Sequence, residues 1–307
     1  MKRFFSFLIL MIFCISLSGC EEISGVSTAE SSQIPVDYPF EIDEVTFESA
    51  PQSIASLSPA LTEIIYELGF GDKLTGRSSY CDYPPEVTSK TDIGSSANPD
   101  IASIIKLKPE VLVSQSPIAN KDIVKITDAG IKVLILPSPT NYDQLKNNYV
   151  QLSMLFVGAS KAKEKAEIVL TPLSDALQNI KKFETFAYIM TNDLAVATGD
   201  TLSGEILSYF GDNIAADYSN YSISAEELVA KQPSILFLAS PLNIQNFSQQ
   251  LAGLTAIQNS RIITIDNTSF ERPTSRRLTE LIMNIQTKIG SFTENATQSL
   301  PETTSGQ

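Results

Sequence analysis

The chain has 307 residues, with 22 lysines and arginines against 35 aspartates and glutamates, and contains neither histidine nor tryptophan. Without histidine there is no serine–histidine or cysteine–histidine catalytic pair, and no histidine-ligated zinc or haem. An acidic chain with no basic stripe is also a poor partner for phosphate backbones, which argues against nucleic-acid binding.

Residues 1–19 read as an export signal: Lys2 and Arg3 supply the positive start, and an apolar run over 4–17 follows that is short for a membrane span. The run ends in Leu17-Ser18-Gly19-Cys20, which resembles a bacterial lipobox and marks Cys20 for lipid attachment. With the signal removed, 20 basic side chains face 35 acidic ones, and Cys81 is the one cysteine left besides Cys20, so no intrachain disulfide is expected. Residues 20–49 form the lipid anchor, a flexible tether rich in Ser, Glu, Ala and Thr over 21–39, and the lead into the globule.

Residues 50–141 read as a first α/β lobe. A strand over 53–57 runs into Ser58, which caps a helix with Pro59 at its first position; Leu61, Ile64, Ile65 and Leu68 form the apolar stripe, and Gly69 ends it. Asn98-Pro99 starts the next helix, and strands over 111–113 and 132–136 flank a helix over 121–129. Alternating strand and helix imply a mainly parallel sheet. Residues 142–183 carry linking helices over 142–156 and 161–182, the second capped by Ser160, about 33 Å long, and expected to kink at Pro172. A second lobe spans 184–290, with strands over 186–190, 235–238 and 261–265 and a last helix after Ser275. The tail 291–307 is expected to be disordered.

Two echoes relate the lobes. The pattern of residues 100–113 returns in 224–237 as a short helix, a proline (Pro109, Pro233) and a buried strand; Glu63-Ile64-Ile65 before Gly69 returns as Glu205-Ile206-Leu207 before Gly211. Two similar lobes with mainly parallel sheets, joined by a single long α-helix, enclose a cleft, and clefts are where small ligands bind.

Three stretches then point to a family: Ser56-Leu57-Ser58-Pro59-Ala60-Leu61-Thr62-Glu63, Ser78-Ser79-Tyr80-Cys81-Asp82-Tyr83-Pro84-Pro85-Glu86, and Leu107-Lys108-Pro109-Glu110. In order and spacing they resemble the substrate-binding lipoproteins of ABC importers, nearest the cobalamin-type binders of a group that also takes iron–siderophores and haem. The resemblance implies a non-enzymatic, monomeric lipoprotein on the extracytoplasmic face of the cell membrane, with no metal or resident cofactor. It holds a corrinoid as its transported ligand and presents it to an ABC permease with its ATPase, moving by small rocking motions. A siderophore or haem ligand is the alternative.

The ligand contacts implied are Ser58, Pro59 and Ala60 at a strand-to-helix turn, Tyr80, Ser96, and, from lobe two, Phe270, Arg272 and Arg276. Glu226 matches a permease-docking carboxylate; Ala102 stands at the first-lobe position, where Asp100, two residues nearer the helix start, can substitute or simply support the helix terminus. Zinc and manganese binders of similar architecture rely on histidine and are disfavoured. So is full coverage of a corrin ring by tryptophan, since Ser95, Ser96 and Ser269 fall where such residues occur. Blander readings stand beside these: Ser58-Pro59 as a helix start, Tyr80 and Tyr83 as core aromatics, Arg276 and Arg277 on a solvated helix face. Glu63 and Glu205 read as exposed or rim carboxylates, and Cys81 as a small buried hydrophobe. A hydrolase using Glu63 or Asp82 lacks an opposing carboxylate, and a surface scaffold without a ligand predicts a shallow cleft.

Overall fold

The computed structural model describes residues 37–298 apart from Ser248. The export signal, Cys20, most of the tether and the chain beyond 298 lie outside the described residues.

The described chain opens with an antiparallel hairpin, β1 (Phe40–Ile42) and β2 (Val45–Phe47), turned by Asp43 and Glu44 at φ 46° and 65°. Positive φ at both central residues matches the twist of a two-residue hairpin. Phe40 stacks on Phe47 at 5.4 Å and packs at a tilt on Tyr38 at 5.0 Å, and the Tyr38 hydroxyl donates to the Leu155 carbonyl at 2.6 Å. Residues 37–39 therefore pack with the globule, which corrects the tether expected over 21–39 at its last residues.

Lobe one contains β3 (Ile54–Ser56), α1 (Pro59–Glu67), β4 (Leu74–Arg77), β5 (Thr91–Asp92), α2 (Ile101–Leu107), β6 (Val111–Ser114), α3 (Asn120–Asp128) and β7 (Lys132–Ile135). The sheet is parallel in the order β5-β4-β3-β6-β7, so successive crossovers leave β3 in opposite directions. The loops after β3 and β6 diverge there, the usual position of a ligand crevice in such sheets. The hairpin guards the outer edge: the Lys132 ammonium donates to the Thr46 carbonyl at 2.5 Å and lies 5.0 Å from the Phe47 ring centre. Helix α2 starts two residues later than expected. Asn98 sits in a turn with Ser95, and the cap is Asp100, whose carboxylate accepts the Ser103 amide at 3.0 Å.

The link is made by α4 (Tyr142–Val157) and α5 (Ala159–Gln178), packed side by side. Gly158, at φ 79°, separates them. Ser160 does not cap α5; its amide donates to Asp37 at 3.1 Å. Helix α5 runs through Pro172 to Gln178, ending short of the expected residue 182.

Lobe two contains β8 (Thr185–Ile189), α6 (Leu202–Ser208), β9 (Asp212–Asn213), α7 (Ala225–Lys231), β10 (Ile235–Ser240), α8 (Thr255–Gln258), β11 (Ile262–Asp266), α9 (Thr268–Glu271) and α10 (Ser275–Gln298). Its parallel sheet runs β11-β10-β8-β9, again with the first strand inside. Helix α10 continues to Gln298, where disorder was expected from 291. Its apolar stripe persists, with Ile289 buried and Phe292 packed on the core.

The first echo is structural. Helices α2 and α7 each end in a left-handed residue, Lys108 (φ 51°) and Gln232 (φ 46°), immediately before the proline that opens the path to β6 or β10. A residue before proline is pushed out of the right-handed helical region, so the proline fixes the stop. Both α/β lobes thus reuse one helix–proline–strand device around parallel sheets. At their joint, the Tyr149 hydroxyl of α4 donates to Glu67 of α1 at 2.5 Å and accepts the Ser275 amide of α10 at 2.7 Å. Burial and the adjacent Glu67 push the Tyr149 phenol well up, and burial raises the Glu67 carboxyl.

Candidate functional site: the facing edges of the two sheets

Parallel strands release their loops at their carboxyl ends, and in both lobes these loops carry the polar and aromatic groups of interest. After β3, Ser58 Oγ accepts the Leu61 amide at 3.2 Å and donates to Gln115 Oε1, just beyond β6, at 2.5 Å. The loops that diverge at the sheet's switch point are thereby tied together. The Ser58 amide donates to Ser56 Oγ at 3.2 Å and is not free for a ligand. Ala60, 1% exposed, faces the core with Leu61 and Ile64. The Ser58 amide and hydroxyl and the Ala60 side chain are thus engaged within lobe one, while Pro59, half-buried, stays at the turn.

After β4, the Ser79 amide donates to the Gly94 carbonyl at 2.8 Å, while Ser79 Oγ and the Gly94 amide both donate to Asp92 Oδ1 at 2.8 and 2.9 Å. The Gly94 amide first, then Ser79, hold the Asp92 carboxyl below its ordinary range. Gly94 sits at φ +84°, where an added Cβ would lie 2.6 Å from the Asn98 carbonyl oxygen, so only glycine fits this stitch. The loops carrying Tyr80 and Ser96 therefore run side by side. Tyr80 is 65% exposed and is no core aromatic. Cys81 is buried with its sulfur 3.2 Å from Thr62 Oγ1, and burial pushes its thiol up.

In lobe two, β11 leads into α9. The Tyr188 hydroxyl donates to Asn267 at 2.8 Å, and the Phe270 ring packs 5.8 Å from that of Tyr188. Arg272 Nη1 then reaches Asp82 Oδ1 of lobe one at 2.8 Å. Beside it, the Arg276 guanidinium lies 4.0 Å from the centre of the Tyr83 ring. Beneath both, Arg277 grips Glu63 with two parallel bonds, Nε–Oε2 at 2.7 Å and Nη2–Oε1 at 2.8 Å, and Arg276 adds a third contact at 3.3 Å. The Glu63 bonds raise the Arg277 guanidinium further above its ordinary range.

Several readings change here. Glu63, at 2% exposure, is neither exposed nor a rim group, and Arg276 and Arg277 do not coat a solvated face. Glu205 accepts the Tyr142 amide at the start of α4 at 2.7 Å. With Glu63 locked by Arg277 and Asp82 paired to Arg272, neither is a free base for hydrolysis. The local sequence carries no signal for the hidden pair, because Glu63 lies off the stripe of Leu61, Ile64, Ile65 and Leu68 on α1; its burial shows that it requires a partner. Asp100 gives both oxygens to Ser103, at 3.0 and 2.7 Å. Glu226 is exposed, and no hydrogen bond or ion pair engages it among the described residues. Two cavities flank the site. One of about 460 Å³ is lined by Glu67, Ile168, Pro172, Ser275 and Arg276, and one of about 380 Å³ separates β11 from α10.

Two α/β lobes on a helical frame, with their strand ends and loops in contact, define a solute-binding architecture. Residues 54–268 match the family described as periplasmic binding protein, and the chain belongs to it; this is a family of solute-binding proteins, not enzymes. Among its relatives is the uncharacterized ABC transporter substrate-binding lipoprotein YvrC of Bacillus subtilis (strain 168). It is 25% identical over 279 residues, covering 84% of this chain and 88% of the relative. The vitamin B12-binding protein of Vibrio vulnificus (strain CMCP6) is 28% identical over 249 residues, covering 76% and 89%. The crystal structure of the periplasmic heme binding protein HutB of Vibrio cholerae superposes with a TM-score of 0.68 at 20% identity, covering 78% of this chain and 98% of the other. That last likeness concerns the fold alone.

Proposed function

We propose that this protein is a lipid-anchored, extracytoplasmic binder that captures a corrinoid between its lobes and delivers it to an ABC permease with its ATPase. The observation that carries the reading is the meeting of the two parallel sheets' C-terminal loops, where Asp82 and Arg272 join across the lobes at 2.8 Å. Relatives named for vitamin B12 binding, 26–28% identical over most of the chain, support the ligand class. In this reading Pro59, Tyr80 and Phe270 supply apolar and aromatic contact to the ring, while Ser96, Arg272 and Arg276 meet its polar edge. The exposed ring of Tyr80 serves where no tryptophan exists. The test is calorimetric titration of the full chain with cyanocobalamin and cobinamide beside a ferric siderophore and haemin. Saturable corrinoid binding supports the reading, and binding of the siderophore or haemin alone overturns it.

Docking rests on lobe two in this reading. Glu226 is the free carboxylate of its helix, whereas Asp100 is spent on its own helix cap, so a basic permease surface is read asymmetrically. Exposed pairs guide register more than they supply affinity. Reversing Glu226→Lys is expected to slow uptake several-fold at unchanged ligand affinity; an equal loss of affinity would place Glu226 in the ligand site instead.

A further inference from the structure

The facing edges are rich in arginine, and these arginines are all paired. Each of Arg77, Arg272, Arg276 and Arg277 stands within ion-pair distance of a carboxylate. Arg77 lies 3.6 Å from Asp92, Arg272 2.8 Å from Asp82, Arg276 3.0 Å from Glu280 and Arg277 2.7 Å from Glu63. The compensating groups are not equally fixed. Glu63 is buried and held by two arginines, and Asp92 is held by Gly94 and Ser79. Asp82 makes a single contact, and its side chain is 72% exposed against 24% for Arg272. Asp82 is the most exposed of the four carboxylates and, unlike Glu280 with its two bonds to Arg276, is held by one, so a ligand can approach this pair from solvent.

A guanidinium carries five donors and a carboxylate only acceptors. The bond from Arg272 Nη1 to Asp82 Oδ1 leaves other guanidinium N–H groups, and the Oδ2 oxygen of Asp82, open to a ligand. A carboxamide matches this pair in both senses: its carbonyl accepts from Arg272 while its NH₂ donates to Asp82. A carboxylate satisfies only the arginine, and its second oxygen meets the charge of Asp82 at close range. Like charges brought together in this way discriminate by repulsion, not by lost attraction.

We propose that the paired wall makes the cleft selective for ligands with an uncharged, carboxamide-bearing periphery over carboxylate-bearing ones, and that Asp82 sets this selectivity through Arg272. The inference rests on the reading of the cleft as the ligand site, and its test separates the two. Wild-type protein and Asp82→Asn are titrated with cyanocobalamin and with its monocarboxylate, in which one peripheral carboxamide has been hydrolysed. An uncharged ferric hydroxamate and an anionic ferric catecholate are titrated in parallel. The wild type is expected to favour the uncharged member of whichever pair it binds by about tenfold, and Asp82→Asn to bring that ratio close to one. A purely structural role for Asp82 would shift both members equally and leave the ratio unchanged. An unchanged ratio, or a wild type that binds both members alike, overturns the inference. Discrimination within the siderophore pair, with no corrinoid binding, overturns the corrinoid reading and leaves the selectivity standing. Failure to bind any of the four overturns both.

Discussion

Glu63 in α1 and Glu205 in α6 occupy matching points of the internal echo, yet they fasten different joints. Glu63 is buried on the side of its helix away from the apolar stripe and reaches out of lobe one to Arg277 on α10. Glu205 remains half-buried and reaches out of lobe two to the first amide of α4, at 2.7 Å. Glu63 therefore ties lobe one to lobe two through a desolvated ion pair, and Glu205 ties lobe two to the linking helix α4 through a helix-terminal hydrogen bond. A repeated position can keep its residue type while its energetic weight changes severalfold, because burial sets the cost of leaving a partner behind.

That contrast can be broken most directly by truncation. Glu63→Ala leaves Arg277 with its charge uncompensated and is expected to destabilise the fold by about 3–5 kcal/mol. Glu205→Ala removes only a cap-like bond and should cost about 1 kcal/mol. Equilibrium urea unfolding measures both, and equal losses would show that the burial difference carries no energetic meaning. A smaller effect sharpens the picture at the neighbouring carboxylate, Glu67. Burial raises its folded-state pKa above the unfolded value, so its contribution is fully present below the unfolded pKa and is lost as pH rises through the folded one. Glu67→Gln keeps an acceptor for Tyr149 and cannot ionise. Its Tm should exceed that of the wild type by about 2 °C at neutral pH and converge with it near the ordinary carboxylate range. A constant offset across pH would remove ionisation as the cause.

What the sequence made legible was whatever had a local cause. Val111–Ser114 and Ile235–Ser240 are continuous apolar runs that only a doubly covered sheet accommodates, and both are strands. Ser58 before Pro59 reads as a helix start, and it is one. The strand Leu74–Arg77 escaped because its apolar content is thin. Gly76 is there to admit Leu107, whose Cδ2 lies 2.6 Å from where a Cβ would stand, and that neighbour is unknowable locally. The hairpin escaped because its turn uses Asp43-Glu44 where a glycine or asparagine signal was wanted. At the site, Phe270 and Arg272 were found by motif. Glu63 was misread as exposed or rim, and the pairing of Asp82 was not foreseen, since their partners lie 214 and 190 residues away. Helix periodicity puts Glu63 off the apolar stripe, and only the tertiary fold buries it and supplies the counter-ion.

One consequence follows from the phenol at the crossing of α1, α4 and α10. Tyr149 touches both lobes' helices through a single oxygen, donating to one and accepting from the other. Pulling the lobes apart at this point breaks both bonds at once, together with the Glu63–Arg277 pair beside them. The oxygen thus acts as a clasp that resists prying.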